Sequence, residues 1–289
     1  MKVSVSSYSF QRLFSNGSLT QMDCIAKTKE MGADAIEFVD ILPHDGSSRE
    51  EYAQKLREEC ARVGLAISNY TVAADFLHGS NGDLDAEVER VKKEIDIAAI
   101  LGATGVRHDA TWGFAPGEYQ SFASVLPRLA EGCRRVTEYA QTKRIRTMVE
   151  NHGFFCQDSD RVEKLVQAVN HPNFGLLCDM GNFLCVDEDP VHAISRTAPY
   201  AFYAHAKDFL VKSGSGPNPG KGFFSTRGGN YLRGTIIGHG AVPVRQCLSI
   251  LKTAGYDGTV AIEFEGMEDV LEGISIGIEN LRRYMEEIH

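Results

Sequence analysis

Several features that mark large protein classes are missing from this 289-residue chain. No apolar run approaches the roughly 18 residues that a membrane-spanning helix needs. The opening Met-Lys-Val-Ser-Val-Ser-Ser-Tyr reads as a strand and lacks the apolar core of a secretory signal, so a cytosolic protein with no membrane partner is expected. Cysteine is sparse and scattered: Cys24, Cys60, Cys133, Cys156, Cys178, Cys185 and Cys247 are odd in number and never spaced Cys-x-x-Cys. That usage fits a reducing compartment better than a disulfide framework. Cys178, beside Asp179, has the shape of a nucleophile candidate, but a small buried strand residue is the favoured reading. Positive charge is also short. Lys and Arg number 30 against 39 Asp and Glu, giving a net charge of −9, which argues against a surface built to neutralise nucleic-acid phosphates. No Gly-x-Gly-x-x-Gly follows the first strand, and no Gly-x-x-x-x-Gly-Lys-Ser/Thr occurs, so neither a dinucleotide nor an ATP phosphate loop is inferred.

What the chain does have is one unit written repeatedly: an amphipathic helix, a Gly, then a short apolar strand. Val88, Val91, Ile95 and Ala98 share a helical face and precede Gly102 and the strand Gly-Val-Arg-His. Tyr52, Leu56, Cys60 and Val63 precede Gly64 in the same way, and Val244, Leu248 and Leu251 precede Gly255. Strand patterns fall at 3–7, 34–38, 65–70, 104–108, 146–150, 174–178, 201–206 and 258–264. Strands alternating with helices imply a parallel sheet, and this number of units closes into an α/β (β/α)8 TIM barrel. With 43% hydrophobic residues, the chain can bury one large core, and a single domain over 1–289 is expected. An open doubly wound sheet is the structural rival.

Four late strand patterns end on metal-ligand side chains: Glu150, Asp179, His205 and Glu263. Parallel strands bring their C-terminal ends together, where three carboxylates and one imidazole can surround a divalent cation. Strand parity agrees, because Met148 and Glu150, Leu177 and Asp179, Tyr203 and His205, and Ala261 and Glu263 each share a face. The bland alternative has these carboxylates capping helices or pairing with Arg107 or Lys207, and the His as a satisfied core residue. Chance placement of all four is less plausible, and mutually repelling acidic groups there call for a neutralising cation.

The motifs Glu150-Asn-His-Gly, Asp179-Met-Gly-Asn, His205-Ala-Lys-Asp and Ile262-Glu-Phe-Glu-Gly resemble those of the xylose-isomerase-like TIM barrel superfamily, specifically its sugar phosphate isomerase/epimerase branch. The resemblance covers essentially the whole chain in element order. It implies one divalent ion held at Glu150, Asp179, His205 and Glu263, with manganese expected first and cobalt, magnesium or zinc as alternatives. It also implies that Glu150 and Glu263 act as the acid/base pair, moving a proton through a metal-stabilised enediolate of a sugar or sugar phosphate. A lyase or dehydratase acting on an oxidised sugar or glycoside is the runner-up. A sugar-binding barrel without catalysis and an abasic-site endonuclease are minor alternatives; the acidic, ligand-poor chain speaks against the second.

His108 and His152, at or just past strand ends, are candidates to hydrogen-bond a sugar hydroxyl. Asn151 reads as a turn residue or a support for the ligands, and Lys207 as the ion-pair partner of a carboxylate outside the site. Glu265 and Glu37 read as rim ion pairs. The Gly-rich stretch 211–240 is expected to be a long loop, either a lid over the site or disordered. Relatives place a substrate-binding Arg before a Gly-x-Gly in this region, which implies Arg233 ahead of Gly238-His-Gly240, with Arg227 competing. One departure from the family stands out. The epimerases have a His three residues after the metal Asp, whereas this chain has Asn182, which can hydrogen-bond substrate but cannot supply a proton. The sugar, its phosphorylation and any homo-oligomeric state are left open by the sequence.

Overall fold

A computed structural model describes residues 1–115, 117, 118 and 121–288. The alternating pattern folds as expected. Strands β1 (Lys2–Ser6), β2 (Ala35–Val39), β3 (Ala66–Val72), β4 (Gly105–His108), β5 (Arg146–Glu150), β6 (Phe174–Asp179), β7 (Ala201–Ala206) and β11 (Thr259–Ile262) form a closed barrel in the order β1-β11-β7-β6-β5-β4-β3-β2. Each neighbouring pair is parallel, and β1 closes the ring by pairing with both β2 and β11. The protein is a single-domain TIM barrel.

The connecting helices include α3 (Arg49–Val63), α4 (Leu84–Leu101), α5 (Phe122–Thr142) and α9 (Val270–Glu287). Local chemistry sets their limits. Ser48 and Glu51 form a reciprocal capping box that starts α3, and Gly102 adopts the left-handed φ of 83° that stops α4. Val88, Val91, Ile95 and Ala98 are buried against the barrel as the 3.6-residue period requires. Every cysteine is buried with a free thiol, and burial pushes Cys178 up to about 12, which removes it as a nucleophile candidate. No helix among the described residues is long and apolar enough to cross a membrane.

Inside the barrel, Met148, Leu177, Tyr203 and Ala261 form their own small buried cluster. These are the residues two positions before Glu150, Asp179, His205 and Glu263, so they are an apolar floor beneath the strand ends.

The stretch 211–240 differs from the loop that its glycines suggest. It carries most of a three-stranded antiparallel sheet, β8 (Asp208–Lys212), β10 (Tyr231–Thr235) and β9 (Phe224–Ser225), in the order β8-β10-β9. Two carboxylates, the buried Asp208 and the exposed Asp187, tie it down. Asp208 accepts backbone N–H groups from Phe209, Gly238, Gly240 and Val242 at 2.8–3.0 Å, and Asp187 accepts from Thr226, Gly228 and Asn230. Both ties span tens of residues, so local composition does not signal them.

Candidate metal centre

Lateral register brings the four strand ends together. Asp179 lies opposite His205, His205 opposite Ala261, and Glu150 opposite Leu177. His205 Nδ1 is 3.7 Å from Glu150 Oε1, 3.8 Å from Asp179 Oδ2 and 3.7 Å from Glu263 Oε2. One donor atom from each of the four lies within 4.8 Å of all the others. Ligands about 2.1 Å from a common ion sit about 3 to 4 Å apart, so the spacing suits a divalent cation.

Orphaned atoms give a further test of fit. His205 Nδ1 and Asp179 Oδ2 are buried and have no hydrogen-bond partner among the described residues, and both face the centre of the cluster. A buried polar atom left unpaired costs roughly 1–3 kcal/mol, and a cation would satisfy both. The imidazole is held in the orientation that needs this. Its Nε2 lies 2.6 Å from Glu37 Oε2, and Glu37 in turn accepts from Asn69 and Thr71. Such a carboxylate behind a histidine fixes the tautomer that presents a free Nδ1. Glu37, expected as a rim ion pair, is therefore a buried orienting group.

The cluster also contains its own cations, contrary to the expectation of acidic groups balanced by a metal alone. Lys207 lies two residues after His205, so parity puts it on the same inward side rather than outside the site. Its buried Nζ turns inward to lie 2.5 Å from Glu263, 3.7 Å from Asp179 and 3.6 Å from Glu265. Arg107 Nε lies 2.7 Å from Glu150, and its Nη2 lies 2.9 Å from Asp109. Against Arg107 and Lys207 stand the carboxylates of Glu37, Asp109, Glu150, Asp179 and Glu263, so negative charge remains in excess and the donor set still fits a dication.

Electrostatics differentiate the carboxylates. Burial works against ionisation of Glu150, but the Arg107 guanidinium and His205 outweigh it and hold its carboxyl below the usual range. Glu263 is likewise buried and is held well down by Lys207 and His205. Burial pushes Asp179 up, with only partial relief from Lys207. Burial also opposes protonation of His205, yet Glu37 and Glu263 raise it well above an ordinary imidazole.

The remaining expected residues divide. His152 lines a cavity of about 290 Å³ together with Glu150, Glu263, Lys207, Arg107, Tyr8 and Trp112, and its Nδ1 lies 2.9 Å from Asp109. Asn182 is buried behind the ligands, donating to Glu150 at 3.0 Å and accepting from Lys207 at 3.1 Å, so it braces both rather than facing substrate. Asn151 bridges the ends of β5 and β6 through the Asp179 backbone. His108 is not at the cavity. It is fully buried, with Nδ1 against the Asp109 carbonyl and its ring edge-on to Phe76. Arg233 packs over Phe223 near Glu268, and Arg227 pairs with Asp158; neither lines the cavity that Glu150 and Glu263 line. Tyr8 and Trp112 do line it and carried no motif signal, since an aromatic just past a strand is common core material. Burial, then the Glu265 carboxylate, push the Tyr8 phenol up to about 12, which keeps it a neutral donor.

Known proteins with this geometry point one way on family and several ways on chemistry. An inosose dehydratase of Clostridium botulinum (strain Eklund 17B / Type B) is 25% identical over 162 residues, 55% of this chain and 53% of that protein. The chain thus aligns with about half the length of the curated relatives it matches. Among solved structures, the IOLI protein with a bound zinc atom superposes with a TM-score of 0.75 at 15% identity, covering 100% of this chain and 99% of that one. An L-ribulose 3-epimerase gives 0.70 at 16% identity over 99% and 97%. The family model described as xylose isomerase-like TIM barrel matches residues 25–284, and the chain belongs to that family.

Proposed function

We propose that the protein is a metal-dependent enzyme that removes the proton beside a carbonyl in a small sugar or polyol and then expels a neighbouring hydroxyl or other oxygen substituent, as a dehydratase or lyase does. The observation that carries this reading is the Glu263–Lys207 pair, a base and a proton donor 2.5 Å apart on the wall of the cavity beside the ligand quartet. Glu150, Asp179, His205 and Glu263 would hold the cation, which when bound supplies a Lewis acid that polarises the carbonyl and acidifies the adjacent C–H.

Glu263, the most open of the four carboxylate and imidazole groups, takes the proton. The C–H electron pair becomes the new double bond as the C–O bond on the next carbon breaks. Lys207 protonates the departing oxygen, and the proton on Glu263 passes back to Lys207 across their short contact. No net proton is consumed. Arg107 and Asn182 hold Glu150 fixed, His152 and Tyr8 offer hydrogen bonds to ring hydroxyls, and Trp112 covers one side of the cavity.

An isomerase or epimerase is the second reading. It needs Glu150 to return a proton from the opposite face, and Glu150 does line the cavity. Both of its oxygens are already engaged, Oε2 by Arg107 at 2.7 Å and Oε1 by Asn182 at 3.0 Å, which favours a ligand over a proton carrier. The dehydratase and epimerase named among the relatives leave both chemistries in the family.

Incubation of manganese-loaded protein with inosose, other keto-polyols and ketoses in deuterium oxide separates the two. Elimination gives a product lighter by one water with enone absorbance. Deuterated product with every oxygen retained supports the second reading, and no change in any of these compounds counts against both.

A further inference from the structure

A second cavity of about 310 Å³ adjoins the metal-centre cavity and shares Tyr8 and Glu265 with it as a common wall. Its remaining lining differs in character. Phe224 and Phe264 present ring surface, Gly222, Gly234 and Gly266 present bare backbone, and Gln11 and Arg12 stand at its edge. Phe224 and Tyr8 keep 37% and 38% of their surface exposed at this cavity. Mostly apolar walls with a few polar groups are the usual make-up of a small-molecule pocket.

The cavity is built rather than accidental. Its outer wall is the small sheet that the Gly-rich stretch forms, and that wall is pressed against the loop after β11. A Cβ on Gly234 would lie 2.5 Å from the Glu265 carbonyl oxygen, and one on Gly222 would lie 2.2 Å from the Met267 sulfur. Arg12 ties the same loop to the start of the chain by donating to the Met267 and Glu268 carbonyls. Three segments far apart in sequence thus hold the walls against one another, and a pre-formed pocket spares a ligand the cost of ordering it.

We propose that the cavity is a subsite for an apolar, aromatic-sized substituent, so that the substrate is a two-part molecule: a hydroxylated ring at the ligand quartet and an aryl or similarly apolar group between Tyr8, Phe224 and Phe264. This deepens the functional reading above and rests on it for the placement of the ring. A free monosaccharide would fill only the polar cavity and leave the aromatic one to water.

Matched pairs of methyl and 4-nitrophenyl glycosides in the α- and β-gluco and galacto configurations, titrated calorimetrically into manganese-reconstituted protein, test the subsite. The expected result is an aryl glycoside bound at least about tenfold more tightly than its methyl partner in one or more configurations. That preference is lost in Phe224→Ala, which removes the exposed ring, and in Gln11→Trp, which fills the cavity from a surface helix; circular dichroism confirms that each variant is folded. Equal affinity within every pair, no binding of any aryl glycoside, or a preference that survives either folded variant overturns the proposal. His205→Ala separates the two readings, since an aryl preference that persists without metal leaves the subsite standing even where the metal mechanism fails.

Discussion

Glu37 shows how much of this site is decided by single side chains that touch no substrate. It sits in the middle of β2, fully buried, where it accepts from Asn69 and Thr71 and holds His205 by Nε2. Glu37→Gln keeps the shape but weakens the pull on the imidazole. Metal affinity measured by calorimetry is expected to fall 10–100-fold with the fold intact; an unchanged affinity would mean that His205 does not bind through Nδ1. Lys207→Met tests the proton donor. Elimination should slow by about 10²–10⁴ while metal content stays near that of the wild type, since removing a positive charge from beside the ligands does not weaken their hold on a cation.

His108 illustrates a different error of inference. Its position at a strand end suggested a substrate contact, yet it is packed away from the cavity, and burial lowers it to about 4 from an ordinary 6.5. A neutral buried imidazole gives its full contribution to stability above pH 6.5. That contribution is lost as pH falls toward 4, because the unfolded chain takes up the proton first. Between pH 7 and pH 5 the loss is about 2 kcal/mol, and urea unfolding of His108→Gln should show a correspondingly flatter pH dependence over that window. An equal slope in both proteins would remove His108 as the source.

Among the elements, legibility follows the range of the forces involved. The barrel strands and α4 could be read almost to their limits, because period, caps and glycine punctuation are local. The convergence of Glu150, Asp179, His205 and Glu263 could be read too, since strand parity and parallel packing bring the ends of β5, β6, β7 and β11 together. The ion pairs of Lys207 could not, because parity puts it on the inner side with His205 but does not say which of Glu263, Asp179 and Glu265 its long side chain reaches. Nor could the sheet of β8, β9 and β10, whose stability comes from Asp208 and Asp187 reaching across the fold. Gly234 is where that sheet meets the barrel mouth most closely. Gly234→Ala would force its new Cβ against the Glu265 backbone, costing about 1–3 kcal/mol. Limited proteolysis should then cut within 211–240 faster than in the wild type; identical resistance would mean that the contact yields without strain.

Across the whole molecule, the barrel gathers a cluster of buried charge, Glu37, Arg107, Asp109, Glu150, Asp179, His205 and Lys207, about one site. The cluster of Met148, Leu177, Tyr203 and Ala261 closes the interior directly beneath the site, so the carboxylates have apolar side chains below them and the cavity mouth above. Negative charge held among such apolar surroundings is stabilised by Arg107 and Lys207 in part, and a dication would complete the balance. Binding of that ion to the folded state alone should raise stability by about 2.7 kcal/mol at a free concentration 100 times its Kd. The most direct test is divalent metal content per chain, by mass spectrometry, for wild type and His205→Ala reconstituted identically with manganese and stripped of free ion. About one equivalent in the wild type and a clear loss in the variant is the predicted result; wild-type protein that retains no metal would contradict it.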